Sequence, residues 1–130
     1  MLDEEDLKKT ITAPFDQVLE RVTAALAAQG FGVLTRIDVQ ETLRQKLGVE
    51  FERYQILGAC NPPLAHRALE ADREVGLLLP CNVIVYDCGE GRTAVAIFDP
   101  MSLAATEAGA HLADVAREAR AKLVRVVAEL

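Results

Sequence analysis

Late in the chain, two strand-like segments, Asn82 to Asp87 and Arg92 to Phe98, flank the turn Gly89-Glu90-Gly91. A glycine-bracketed turn between β-branched runs predicts a hairpin, and a hairpin commits its strands to antiparallel pairing. Whatever precedes it has to join or cover that sheet. The preceding residues alternate between short strand-like runs and helical periods, which is the pattern of an α+β fold with a mainly antiparallel sheet and helices on one face.

The elements follow from apolar spacing and punctuation. Leu7 to Thr12 alternates loosely and reads as an edge strand. Pro14 suits a first helical position, where its missing N–H would be unpaired anyway. Phe15, Val18, Leu19, Val22, Ala25 and Leu26 then recur at helical spacing up to Gly30, which accepts left-handed cap geometry. Phe31 to Ile37 reads as a strand. Asp38 with Glu41 resembles a capping box for a short helix carrying Val39, Leu43 and Leu47, and Gly48 stops it. Phe51 to Leu57 reads as the next strand, and Pro62 to Ala71 as a third helix. Val75 to Leu79 is apolar and reads as a strand or a buried extended segment. Asp99-Pro100 breaks the last strand. A loop then leads to a long final helix from about Thr106 to Glu129, with Leu112, Val115, Ala116, Ala119, Leu123, Val126, Val127 and Leu130 along one stripe. There is no linker or repeat, so residues 1–130 read as one domain.

Composition enters where it excludes functions. There is no Trp and aromatic residues are 5%, so the core is aliphatic. A net charge of −6 opposes phosphate backbones and anionic membrane surfaces, so neither nucleic acid nor membrane is an expected partner. The acidic start, with Asp3, Glu4, Glu5 and Asp6, lacks the apolar region of a secretory signal. The run Val75 to Cys81 is too short to span a bilayer. The expected location is therefore cytoplasmic. Three cysteines do not suggest a disulfide framework.

The chemistry-bearing feature is a repeated pair. The chain has two asparagines, and each follows a cysteine: Cys60-Asn61 and Cys81-Asn82. Each pair also touches a proline, Pro62 or Pro80. Asn61 before Pro62 is the pattern of a helix N-cap, which is its simpler reading. Cys60 would then precede a helix N-terminus, whose partial positive charge favours a thiolate, although a free Cys is often just a small buried hydrophobe. Asn82 opens a strand, where Asn serves backbone groups at a strand start or lines a pocket. His66, six residues after Cys60, adds a ring nitrogen. Cys60, His66 and Cys81 do not match zinc spacing and no fourth ligand is evident, so neither a metal nor a cofactor is expected. A reversible Cys60–Cys81 disulfide would need their Cα atoms within about 7 Å. Cys88, beside the hairpin turn, is a weaker candidate.

Three stretches, Gly30-Phe31-Gly32-Val33-Leu34-Thr35, Leu57-Gly58-Ala59-Cys60-Asn61-Pro62 and Leu78-Leu79-Pro80-Cys81-Asn82-Val83, resemble the family called domain of unknown function 302. The resemblance covers nearly the whole chain. It implies an α+β fold similar to the TATA-binding-protein-like class, with helices against a curved antiparallel sheet. It also implies that Cys60, Asn61, Pro62, Cys81 and Asn82 are signature positions. It implies no activity, and a TATA-binding-protein-like fold does not imply DNA binding.

Together these readings give a small-ligand or partner-binding module whose pocket is lined by Cys60, Asn61, His66, Cys81 and Asn82. The alternatives are a thiol-based redox or thiol-transfer enzyme using Cys60, and an assembly domain without pocket chemistry. The 51% hydrophobic content and the apolar final helix predict a homodimer.

Overall fold

The computed structural model describes residues 4–105 and 109–130, an α+β fold built on one five-stranded antiparallel sheet. Strands β1 (Lys8–Ile11), β2 (Gly32–Asp38), β3 (Tyr54–Cys60), β4 (Cys81–Gly89) and β5 (Arg92–Ile97) lie in the order β1-β5-β4-β3-β2. The predicted hairpin is β4–β5. Its turn is possible because Gly89, Glu90 and Gly91 take φ of 81°, 57° and 72°, a left-handed run that glycines on either side make inexpensive. The predicted N-terminal edge strand is β1, paired with β5 from Lys8↔Ala96 to Ile11↔Thr93.

Among the described residues four α-helices accompany the sheet: α1 (Phe15–Ala28), α2 (Val39–Leu47), α3 (Pro62–Ala71) and α4 (Gly109–Ala128). α1 and α4 cover one sheet face. Val18, Val22 and Leu26 of α1 and Leu123, Val126 and Val127 of α4 pack on Leu57, Val83, Val85, Val95 and Ile97. A second apolar cluster joins α3 to the first half of α4 through Leu64, Ala68, Leu112, Val115, Ala116 and Ala119. The stripe of the final helix is thus consumed inside the chain, so it no longer argues for a dimer. α2 joins β2 to β3 and buries no residue.

Three segments differ from their sequence expectation. The strand expected over Phe51 to Leu57 runs over Tyr54–Cys60 instead, so it carries Cys60 at its end. The run expected as a strand or extended segment over Val75 to Leu79 lies largely in a 3-10 helix, Arg73–Leu78. Asp72 starts it by accepting the Glu74 amide at 3.0 Å, and Val75 turns inward while Leu77 stays exposed. The loop after Asp99-Pro100 is also a 3-10 helix, Pro100–Ala105. Asp99 accepts the Met101 amide and pairs with the buried Arg120 of α4 at 3.4 Å, which pins this segment to the helix. The final helix begins at Gly109, and its expected start at Thr106 lies outside the described residues, as does Asp3 of the acidic start.

Candidate functional site

The site lies where β3 ends and α3 begins. Asn61 has extended backbone and Pro62 follows at the first helical position. The Asn61 carboxamide uses both ends. Its Oδ1 accepts the Leu64 amide at 3.3 Å, and its Nδ2 donates to the Gln29 carbonyl at 3.4 Å. One side chain thus caps the N-terminus of α3 and bonds the C-terminus of α1. Gly30 makes the approach possible: its φ is +83°, and a Cβ there would stand 3.0 Å from Asn61 Nδ2. Asn61→Ala is expected to cost about 1–2 kcal/mol by urea denaturation, the loss of a cap plus one long hydrogen bond. Asn61→Asp keeps the acceptor but sets a negative charge beside a helix C-terminus, so it should recover only part of that loss.

Behind Asn61 a cleft of about 260 Å³ opens between the end of the sheet and helices α3 and α4. The sheet supplies Ala59, Cys60 and Cys81, and Phe31 stands at the entry to β2. The helices supply Leu64, Ala65 and Ala68 from α3, and Val115 and Ala119 from α4. Leu34, Leu69, Leu79, Pro80 and Leu103 complete the wall. Among these residues only Asn61 and the two cysteines carry side-chain polar groups.

The two thiols are held in their neutral form. Cys81 is buried opposite Ala59 in the β3–β4 ladder. Burial, then the charge of a neighbouring Cys60 thiolate, pushes its thiol up to about 11. Cys60 is half-buried, and burial pushes it up as well. Burial at Cys60 therefore opposes the thiolate that a helix start would favour.

The structure brings Cys60, Asn61 and Cys81 to one cleft and leaves His66 and Asn82 outside its wall. Leu64 and Ala68 sit four residues apart and face inward, so His66, midway between them, projects to the opposite side of α3. Its side chain is 76% exposed and its Nε2 lies 3.4 Å from Glu70 Oε1. Alternation along β4 turns Cys81 inward and Asn82 outward, opposite Gly58. Asn82 lines a separate depression with Leu77, Leu78 and Phe98. Cys88 and His111 are exposed. Among the described residues, no group of three or more His, Cys, Asp and Glu is arranged to hold a metal ion, and no helix is long and apolar enough to cross a membrane.

Sequence reasoning missed most of the apolar wall. The available signal was the small residues Ala65, Ala68 and Ala119 on helices that otherwise pack with Leu and Val, which leave room beside the strand ends.

Comparisons with known proteins agree with this architecture. The family model described as "Domain of unknown function DUF302" matches residues 7–130. A solved structure, described as an uncharacterized conserved DUF302 protein from Bacillus stearothermophilus, is similar at 29% identity with a TM-score of 0.82, over 95% of this chain and 97% of that one. No curated protein matches.

Proposed function

The chain belongs to the DUF302 family, for which the family description assigns no activity, and on the geometry of its cleft we propose that it binds a small, neutral, largely apolar molecule between the sheet and helices α3 and α4. The observation that carries this reading is the wall itself. Leu, Val, Ala and Phe side chains surround the space, and the one carboxamide at its edge is engaged in capping. A charged ligand would lose its hydration here without gaining partners. At about 260 Å³ the cleft is slightly smaller than the sites of drug-sized ligands, so the occupant is a compact molecule.

The test is an NMR titration of the labelled protein with indole and, separately, with a medium-chain alcohol. Saturable shifts confined to Phe31, Ala59, Leu64, Ala65 and Val115 are expected. Shifts that never saturate, or that fall outside the cleft, would refute the assignment.

Thiol chemistry at Cys60 is the weaker alternative, because a thiol held neutral by burial is a poor nucleophile. Homodimerisation is the better supported companion reading. On the sheet face away from α1 and α4, the ladder sets Lys8, Ala96, Ile84, Ile56 and Ile37 side by side, and Tyr54 stacks on Tyr86 at 5.3 Å. An open antiparallel face ordinarily alternates to polar residues, and the middle of this one, at Ala96, Ile84 and Ile56, is apolar.

A further inference from the structure

We infer that the occupant of the cleft is a compact apolar molecule carrying one carbonyl oxygen, which accepts a hydrogen bond from the carboxamide of Asn61. This inference rests on the apolar-ligand reading and narrows it to a chemical class. A carboxamide has one acceptor oxygen and two N–H donors. At Asn61 the oxygen accepts the Leu64 amide at 3.3 Å, and one N–H donates to the Gln29 carbonyl at 3.4 Å. These backbone partners fix which end of the group is which, because an amide has to meet oxygen and a carbonyl has to meet nitrogen. The second N–H has no partner among the described residues, and it belongs to a side chain that lines the cleft. It is the one strong side-chain donor left for an occupant, since the rest of the wall is apolar apart from two thiols.

The remaining polar groups decide against other ligand classes. The start of α3 is closed to an anion from within the chain. Pro62 and Pro63 have no N–H, the Leu64 amide is taken by Asn61 Oδ1, and the Ala65 amide donates to the Asn61 carbonyl at 2.9 Å. A carboxylate or phosphate therefore finds no free amide there and no cationic side chain in the wall. Burial keeps both thiols protonated, so each adds a weak S–H donor and no charge, whichever way it faces. Side-chain acceptors are scarce, because Asn61 Oδ1 is turned to the first turn of α3. An alcohol or an amine would bring a donor of its own and leave it unpaired, which costs more than an absent bond. A ketone or an ester brings only lone pairs, and a single N–H satisfies it. Its hydrocarbon body meets Leu64, Ala68 and Val115.

The test is an NMR titration of the labelled protein with cyclohexanone and, separately, with cyclohexanol, which share one rigid skeleton. Cyclohexanone should bind about fivefold tighter, the worth of one net hydrogen bond. One of the two Asn61 Hδ2 resonances should move downfield as the ketone saturates, and the chain has only one other asparagine to distinguish. Asn61→Ser keeps a capping oxygen but removes the carboxamide N–H, so the preference for the ketone should disappear. Asn61→Asp keeps the cap and puts an acceptor where the donor stood, so the preference should invert toward the alcohol. Asn82→Ser, outside the cleft wall, should leave it unchanged. Circular dichroism establishes that each variant is folded, and the Hδ2 shift on the parent chain decides the matter if the Asn61 variants are not. Saturable binding without preference, a static Hδ2 pair, or an unchanged preference in Asn61→Asp would overturn the carbonyl assignment and leave the apolar cleft standing. Failure of cyclohexanone, cyclohexanol and indole alike to saturate would remove the cleft reading and this inference with it.

Discussion

Gly58→Ala is expected to lower the stability of the fold by about 2 kcal/mol, against the usual gain of about 0.4–1 kcal/mol when alanine replaces a glycine whose backbone tolerates it. Gly58 is buried in β3, on the sheet face away from α1 and α4. A Cβ built there would stand 2.3 Å from Thr35 Oγ1 and 2.8 Å from Pro80 Cγ. Thr35 lies on the exposed edge strand β2 and can rotate, but rotation brings its methyl toward the same space. The ring of Pro80 has no such freedom and has to move with its backbone. The clash therefore spreads β3 from both neighbours. Urea denaturation of both proteins measures the loss, which should appear as a lower midpoint with an unchanged slope. Thr35→Ala in the same chain should return part of the stability, and the remainder measures the proline contact. Equal stability of Gly58→Ala and the parent would show that these strands are looser than the distances imply. Because Pro80 also lines the cleft, the substitution should weaken indole binding even where the protein remains folded.

The same residues show why part of this structure was legible in the sequence and part was not. The β4–β5 hairpin, the core faces of α1 and α4 and the Asn61 cap follow from local rules: turn glycines, helical periodicity and the preference of Asn before Pro at a helix start. Val75 to Leu79 was ambiguous because a short apolar run fits a strand or a buried helical turn equally well. Asn82 was placed in the pocket for a related reason. Val83-Ile84-Val85 is apolar without alternation, so the pattern does not tell which face of β4 is buried, and only the helices over Val83 and Val85 decide it. His66 is near Cys60 along the chain but lies around the helix from Leu64 and Ala68, which face the cleft. The cleft itself depends on α4 lying across α3, and no local pattern joins Ala68 to Val115 and Ala119, roughly fifty positions apart.

The unalternating apolar run has a second consequence, on the other face of the sheet. Ile84→Lys is expected to convert a dimer at micromolar concentration into a monomer, read by sedimentation. Ile84 occupies the middle of the row from Lys8 to Ile37, flanked by Ile56 and Ala96. A stable interface needs roughly 800 Å² per partner. Five strands about 4.8 Å apart, each with about five residues rising about 3.4 Å, offer roughly 400 Å² of flat sheet. The rest has to come from beside the sheet, where Leu47, Val49 and Phe51 are 70%, 43% and 39% exposed at the end of α2 and in the loop after it. A two-fold axis parallel to the strands would set each β1 over the partner's β2, which brings both sources of area into one self-complementary surface. Each protomer carries a net charge of −6, so association should strengthen as salt screens the repulsion. A buried lysine at the centre of that surface has no partner to pair with and raises the cost of association by several kcal/mol. Ile84 contributes nothing to the cluster beneath α1 and α4, so the fold and its melting behaviour should persist in the variant. A parent chain that sediments as a monomer, or an Ile84→Lys chain that still dimerises, would remove this face as the interface.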